Sequence, residues 1–315
     1  MPLEIGLIGA TGIAERTMLA PSLQRLDVTV RAVAASDPVR AKEYATKHAI
    51  PVVHQDYSSL LADPSIDTVH ISLHNSAHHR WVVRAAVAGK TVIVEKPLCL
   101  TADELAEITF AAEDVEVFEA VATAGHEWQR TVREFIADER YGALESVATR
   151  TTFAVPAAGG YRDRRELGGG VFFDNASYWL QALQSTVGLD VVASSGSSDF
   201  DGPDGVDRSF SASLRWATGV QATLVCDVGP DHRSEHLFTF ERATVKLRNF
   251  LRPVVGAVPL NLVITAEDRQ VLSFPASSYY DRQLAAIADG TADGLTVAAP
   301  RIRLMAEIYQ DARGN

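Results

Sequence analysis

Cysteine is nearly missing from this chain of 315 residues: only Cys99 and Cys226 occur, far apart. Two such thiols make neither a disulfide framework nor a metal-ligand spacing, so a reducing cytoplasm is the expected compartment. Long apolar runs are also absent, and none approaches the ~20 residues that a membrane-spanning helix needs. Met1-Pro2 leads straight into Glu4-Ile5-Gly6-Leu7-Ile8-Gly9, a strand pattern without the basic segment and apolar stretch of a signal peptide. Cations are scarce beside anions, 29 Lys and Arg against 40 Asp and Glu, for a net charge of −11. That balance disfavours nucleic acid and anionic membrane surfaces as partners and leaves a small-molecule substrate. What remains is ordinary globular composition, 47% apolar and 22% charged, with a length that favours two domains.

The first half alternates strands and helices around Val92-Ile93-Val94-Glu95-Lys96-Pro97. Its β-branched run reads as a buried parallel strand, expected to be central, whose carboxyl end presents Lys96 to a crevice. Residues 3 to 9 form an earlier strand. Gly9-Ala10-Thr11-Gly12-Ile13-Ala14 then turns into a helix expected to bury Leu19 and Leu23. Strand, glycine turn and helix are the parts of a dinucleotide cradle, although Thr11 stands at the middle glycine of G-x-G-x-x-G/A and Ala14 at its last position. A second strand over 28 to 35 ends without the acid that would hold an adenosine ribose. Asp37 reads instead as the N-cap of a helix through His48, with Pro38 at its first position. Ser36 and Arg40 are placed to accept a 2′-phosphate, so NADP is favoured over NAD.

Further elements are expected at 52 to 53, 57 to 61, 68 to 73, 77 to 88, 101 to 112 and 115 to 121. The alternation predicts a doubly wound parallel sheet. Four histidines crowd residues 70 to 79, with His74 and His78 spaced i, i+4, yet no cysteine or third ligand accompanies them, so no metal site is expected. Leu73, His74, Asn75 and His78 suit a loop that touches the cofactor.

Together these phrases resemble the Gfo/Idh/MocA family of oxidoreductases, named for glucose-fructose oxidoreductase, inositol dehydrogenase and rhizopine catabolism. The resemblance rests on Asp67-Thr68-Val69, on Asn75-Ser76-Ala77-His78, and on Ala88-Gly89-Lys90-Thr91-Val92-Ile93-Val94-Glu95-Lys96-Pro97-Leu98 with Thr101 opening the next helix. It implies that Lys96 lies near the nicotinamide and the reacting carbinol, that Asn75, His78 and Glu95 help form the cofactor site, and that Lys96-Pro97 is a cis bond. The family's Arg-aromatic-His-Pro phrase is reduced here to Ala124-Gly125-His126-Glu127, which leaves His126 as a pocket wall or proton relay.

From Tyr141 onward the pattern changes to long strands with one major helix. Strands are expected at 146 to 153, 207 to 216, 219 to 228, 235 to 241, 244 to 249, 260 to 266 and 269 to 274, while residues 194 to 207 read as a solvated loop. The fold class is therefore α/β: an N-terminal Rossmann doubly wound sheet over 1–122, and a C-terminal α+β domain over 123–315 built on a large, mostly antiparallel open sheet. One face of that sheet is expected to carry helix and the other to join copies in a homo-oligomer. Gly168-Gly169-Gly170 would let backbone approach a ligand, and Asp174 and Tyr178 share a face of the helix that follows. Family members carry a comparable Gly-Gly…Asp…His or Tyr phrase that acts with the strand-end lysine. An upstream aromatic-Arg pair, Tyr161-Arg162 here, borders their substrate pocket.

Free tyrosine and lysine side chains titrate near ~10 and ~10.4, so each needs a neighbouring charge to work at neutral pH. The expected catalytic set is Lys96, Asp174 and Tyr178, serving hydride exchange between NAD(P) and a carbinol or ketone carbon. The substrate class, a sugar, sugar derivative, nucleotide-linked ketosugar or cyclitol, follows from the resemblance alone. The rival reading is a dinucleotide-binding regulator of the same fold that catalyses nothing. A metal-dependent hydrolase built on the histidines is a further rival.

Overall fold

A computed structural model describes residues 2–154 and 158–314. Its contacts divide the chain into two units, one of Met1–Val121 with Tyr280–Ile302 and one of Ala122–Tyr279 with Arg303–Asn315.

The first unit is built on six parallel strands, β1 (Leu3–Ile8), β2 (Val28–Ala34), β3 (Val52–Val53), β4 (Thr68–Ile71), β5 (Thr91–Glu95) and β6 (Val117–Ala120). Their order, β3-β2-β1-β4-β5-β6, is the doubly wound arrangement that the β-α alternation predicts. β5 is not the central strand: it lies next to the edge, between β4 and β6. It is nonetheless flanked on both sides, with Ile71 opposite Val94 and Glu95 opposite Ala120, which is why Val92, Ile93 and Val94 are all buried.

Helix starts follow their caps. Asp37 accepts the Val39 N–H with Pro38 in the first turn, and Thr101 and Glu104 form a capping box. Two expectations are corrected. The helix after β4 runs Asn75–Val87, two residues earlier than its periodicity suggests, because the extended backbone of His74 already serves as N-cap. The first helix is composite, Gly12–Ala14, a π segment Glu15–Leu19, then Ala20–Ser22. It buries Leu19 but leaves Leu23 87% exposed, since the wider π turn rotates the later residues off a 3.6-residue stripe. Leu284 and Ile287 complete the core of this unit beside Leu7 and Val33.

In the second unit eight strands, β7 (Leu144–Ala154), β8 (Val191–Ser197), β9 (Ser209–Trp216), β10 (Gln221–Gly229), β11 (Arg233–Phe240), β12 (Ala243–Arg248), β13 (Val258–Thr265) and β14 (Arg269–Ser277), form one sheet. The order is β14-β13-β12-β11-β7-β10-β9-β8, antiparallel throughout except for β7 beside β10. Along β9 burial alternates strictly, with Phe210, Ala212, Leu214 and Trp216 inside. The loop expected over 194 to 207 begins instead with the end of β8. This edge strand escapes notice because Ser194, Ser195 and Ser197 give it no hydrophobic alternation, and its pairing with β9 supplies the order. The helices Glu127–Ala137 and Val171–Thr186 and the end of a third, Leu295–Arg313, accompany the sheet where one major helix was expected.

The second helix is capped from a distance. Asp207 accepts the Phe172 N–H on Oδ2 at 2.7 Å and the Val171 N–H on its own carbonyl at 3.1 Å. Asp207 is 1% exposed and its Oδ1 meets no partner among the described residues. Burial pushes its pKa up to about 6, against the pull of those amides. The folded chain therefore holds this proton more tightly than the unfolded chain, so the carboxyl favours folding below the ordinary carboxylate range and loses that contribution as pH rises through about 6. Asp207→Asn should abolish this segment of the pH dependence. Thermal melts from pH 4 to 7 should show the wild type losing about 2–3 kcal/mol relative to the variant as pH rises. Parallel curves would sink the assignment.

Candidate active site

Because the first sheet is parallel, the loops that leave β1, β2, β4 and β5 all emerge from its carboxyl edge. Gly9, Ser36, Leu73 and Lys96 therefore stand on one side of the sheet.

Gly9 has φ of +114°, and a Cβ there would lie 2.7 Å from the Ser72 carbonyl oxygen, so only glycine fits. At Gly12 a Cβ would meet nothing within 4 Å, and the backbone is open to an approaching group. Thr11, at the position of the missing middle glycine, has a defined task. Its Oγ1 accepts the Ala14 N–H at 3.1 Å and shares a hydrogen bond with Ser72 Oγ at 2.8 Å. Ile13 follows it, half-buried, and Ala14 is fully buried. The helix after β2 ties down the same turn: Arg40 Nη2 donates to the Ala10 carbonyl at 2.8 Å and the Tyr44 hydroxyl to that of Thr11 at 3.0 Å. Burial and the Glu15 carboxylate push the Tyr44 pKa up to about 12, so the hydroxyl stays a donor. Neither Tyr44 nor Ser72 carries a motif that would have announced it. Ser36 is exposed and hydrogen-bonds Tyr57, while Arg40 keeps further N–H donors beyond the one on Ala10. An open glycine turn beside a serine and an arginine suits a dinucleotide, including one with a 2′-phosphate.

The histidines part company. His70 Nε2 lies 3.5 Å from Glu95 Oε1, His74 Nδ1 3.1 Å from Ser76 Oγ, and His79 Nε2 2.9 Å from Glu107 Oε2. Among the described residues no three His, Cys, Asp or Glu side chains gather to hold a metal. His78 is fully buried between two backbone carbonyls, with Nδ1 2.7 Å from Pro97 O and Nε2 3.2 Å from Leu73 O. Burial lowers its pKa although both carbonyls and Glu95 pull the other way. In the neutral ring the shorter contact assigns the proton to Nδ1. His78 thus grips the turn after Lys96 instead of opening onto the crevice; Asn75 beside it is 4% exposed. Lys96-Pro97 is a cis peptide, and Lys96 itself is half-buried.

The second unit carries the other candidates. Asp174 and Tyr178 lie on the helix Val171–Thr186, and from Val171 to Leu183 every residue is buried except Tyr178. Arg162 reaches Asp174 through Nε at 2.5 Å and Nη2 at 3.4 Å, with its guanidinium 4.7 Å from the Tyr161 ring centroid. Burial would lower the Arg162 pKa, but Asp174 and the charges of Tyr161 and Tyr178 outweigh it and raise it. Gly169 and Gly170, before this helix, do not lie open to a ligand. A Cβ at Gly169 would strike the Arg162 and Tyr161 carbonyls, and one at Gly170 the Asp207 carboxyl. Their role is to let the chain fold back on itself so that Arg162 meets Asp174. His126 is 2% exposed; its Nδ1 accepts the Trp128 N–H at 3.2 Å, and its ring stands edge-on to Phe274 and Tyr279. It caps the helix Glu127–Ala137, a task no spacing announces.

Residues 3–123 match the model of an oxidoreductase family with an NAD-binding Rossmann fold, and residues 129–244 match the GFO/IDH/MocA C-terminal domain. D-xylose 1-dehydrogenase (NADP(+)) 2 of Haloferax volcanii is 34% identical over 226 residues, 70% of this chain and 68% of that protein. The dTDP-3,4-didehydro-2,6-dideoxy-alpha-D-glucose 3-reductase of Saccharopolyspora spinosa is 28% identical over 308 residues, 96% of this chain and 91% of its own. Among solved structures, a 3-ketoreductase from Actinomadura kijaniata in complex with NADP and TDP-benzene covers 100% of this chain and 98% of its own, with a TM-score of 0.86 at 22% identity. That last likeness speaks to the fold alone.

Proposed function

Since the chain belongs to the Gfo/Idh/MocA family of NAD(P)-dependent oxidoreductases, we propose that it interconverts a secondary alcohol and a ketone, or the anomeric carbon of an aldose, on a sugar or nucleotide-linked sugar, with NADP as its cofactor. The observation that carries this reading is Lys96 at the carboxyl end of a buried parallel strand, on the same sheet edge as the open turn at Gly12. Relatives named as an NADP-dependent xylose dehydrogenase and a dTDP-ketosugar reductase support the substrate class.

When bound, the nicotinamide supplies or accepts the hydride. The protein has three other tasks. Gly9, Thr11, Gly12, Ile13 and Ala14 form the cradle for the pyrophosphate, with Ser36 and Arg40 for the 2′-phosphate and Leu73, His74, Asn75 and Glu95 along the nicotinamide half, while His78 holds the Leu73 and Pro97 carbonyls behind them. Lys96 directs its ammonium at the reacting oxygen and stabilises negative charge there. Tyr178, the one residue between Val171 and Leu183 that is not buried, exchanges the hydroxyl proton, while Arg162 fixes Asp174 one turn earlier. Tyr161 and Arg162 border the substrate side, and His126 acts behind it as the cap of the helix Glu127–Ala137.

Fluorescence titration with NADPH and NADH tests the cofactor half directly. NADPH should bind the more tightly, and Arg40→Ala should erase about tenfold or more of that preference by removing a charge-assisted contact to phosphate. Equal affinities in the wild type would overturn the NADP assignment. Turnover should then be sought on aldoses and nucleotide-linked ketosugars.

Among the described residues no helix is long and apolar enough to cross a membrane. The proposal takes the protein as cytoplasmic, supported by two free, buried thiols, and as a homo-oligomer. The outward positions Val225, Leu237 and Val263 support self-association through the open sheet face, because they put half-buried apolar side chains on it. The molar mass in solution reads this.

A further inference from the structure

β6 places one acid in an otherwise apolar strand, Val117-Phe118-Glu119-Ala120, and the Glu119 side chain is 1% exposed. A carboxylate so buried must be paired. Its partner is Arg301, 4% exposed, from the helix Leu295–Arg313. Arg301 Nε and Nη2 both converge on Oε2, at 3.1 and 2.8 Å, and Oε1 accepts the backbone N–H of Leu98 at 3.3 Å. Leu98 lies two residues beyond Lys96, and the intervening Pro97 carbonyl is the one His78 grips. The backbone after Lys96 is therefore held at consecutive polar groups, one from the helix after β4 and one from β6.

We propose that Glu119, neutralised by Arg301, is a positioning residue that sets the Lys96 turn through the Leu98 amide. A buried ion pair is weak evidence for stability, because apolar residues of similar size replace such pairs at little cost. What they do not replace is the acceptor. The guanidinium makes a full negative charge tolerable at this depth, and Oε1, through the Leu98 amide, ties the strand-end loop to β6. The inference rests on the reading of Lys96 as catalytic, and a misplacement of about 1 Å at a reacting group is enough to cost on the order of a hundredfold.

Two charge-free pairs of substitutions separate positioning from packing. Glu119→Met with Arg301→Met removes the acceptor; Glu119→Gln with Arg301→Met restores it without the charge. In the first, kcat should fall about 10- to 100-fold while NADPH affinity and the substrate KM stay within about threefold, and the second should recover most of kcat. Full kcat in the first pair, or equal loss in both, overturns the inference. Should either pair fail to fold, hydrogen exchange in the wild type decides: the Leu98 amide must rank among the protected core amides, and fast exchange there refutes the tie. The two readings fail separately. Turnover that survives Lys96→Ala removes the catalytic assignment itself, whereas turnover that needs Lys96 but is indifferent to the Glu119 acceptor removes only the positioning role.

Discussion

Lys96→Ala is expected to lower kcat about a thousandfold, roughly 4 kcal/mol of transition-state stabilisation, with NADPH affinity changed by less than about tenfold. The size follows from what the ammonium does. As hydride reaches a carbonyl carbon negative charge grows on its oxygen, and in the reverse direction the alkoxide-like oxygen carries that charge before hydride leaves; an oriented cation beside it stabilises either state. Lys96 is well placed for this because it ends a strand flanked by two others, and the next two backbone groups are gripped by His78 and Glu119. Lys96→Met keeps the aliphatic stem and should be equally slow, which separates charge from packing. Steady-state rates beside a cofactor titration make the measurement. Retention of more than about a tenth of the wild-type kcat in both variants would sink the assignment.

Tyr178→Phe is the second large effect, expected at about a hundred- to a thousandfold on kcat. The substitution removes one oxygen from the only residue between Val171 and Leu183 that is not buried, so the melting temperature should hardly move while turnover collapses. The pH dependence should change as well. A proton-transferring hydroxyl gives kcat a titrating limb, and its removal should leave a slow, flatter profile. If the variant keeps its rate but melts lower, Tyr178 is a packing residue and another group moves the proton. Arg162 bears on this result, because its bond to Asp174 fixes the charge one turn away; the second unit thus presents a cation, a carboxylate and a phenol together.

How much of this was legible before the fold is best seen residue by residue. Asp37, Pro38 and Thr101 announced their helices because capping is a matter of three or four neighbouring residues. Val92 to Val94 announced a buried strand, and Gly9 a turn, for the same local reason. β8 was missed because an edge strand of Val, Ala, Ser and Gly lacks alternation and takes its order from a partner. Gly169 and Gly170 were misread because a residue without a side chain admits any neighbour, and whether that neighbour is a ligand or the Arg162 carbonyl is settled by the path of the chain. His78 carried a cofactor role by resemblance, whereas its two ring nitrogens meet backbone.

By itself, then, the sequence determined what short-range physics controls: the alternation that makes a parallel sheet, the change to long strands after residue 141, the turn at Gly9, and the charged pair that ends β5. The tertiary structure decided what depends on distant partners. Asp207 caps a helix 35 residues earlier in the chain, Arg301 neutralises an acid 182 residues away, and Tyr280–Ile302 pack with the first unit although they follow the second sheet. No window of sequence contains both members of such a pair, and each residue type taken alone is more often a solvated charge than a buried one. Burial turns these charges into constraints, because an acid or an arginine removed from water must find its partner wherever the chain brings it.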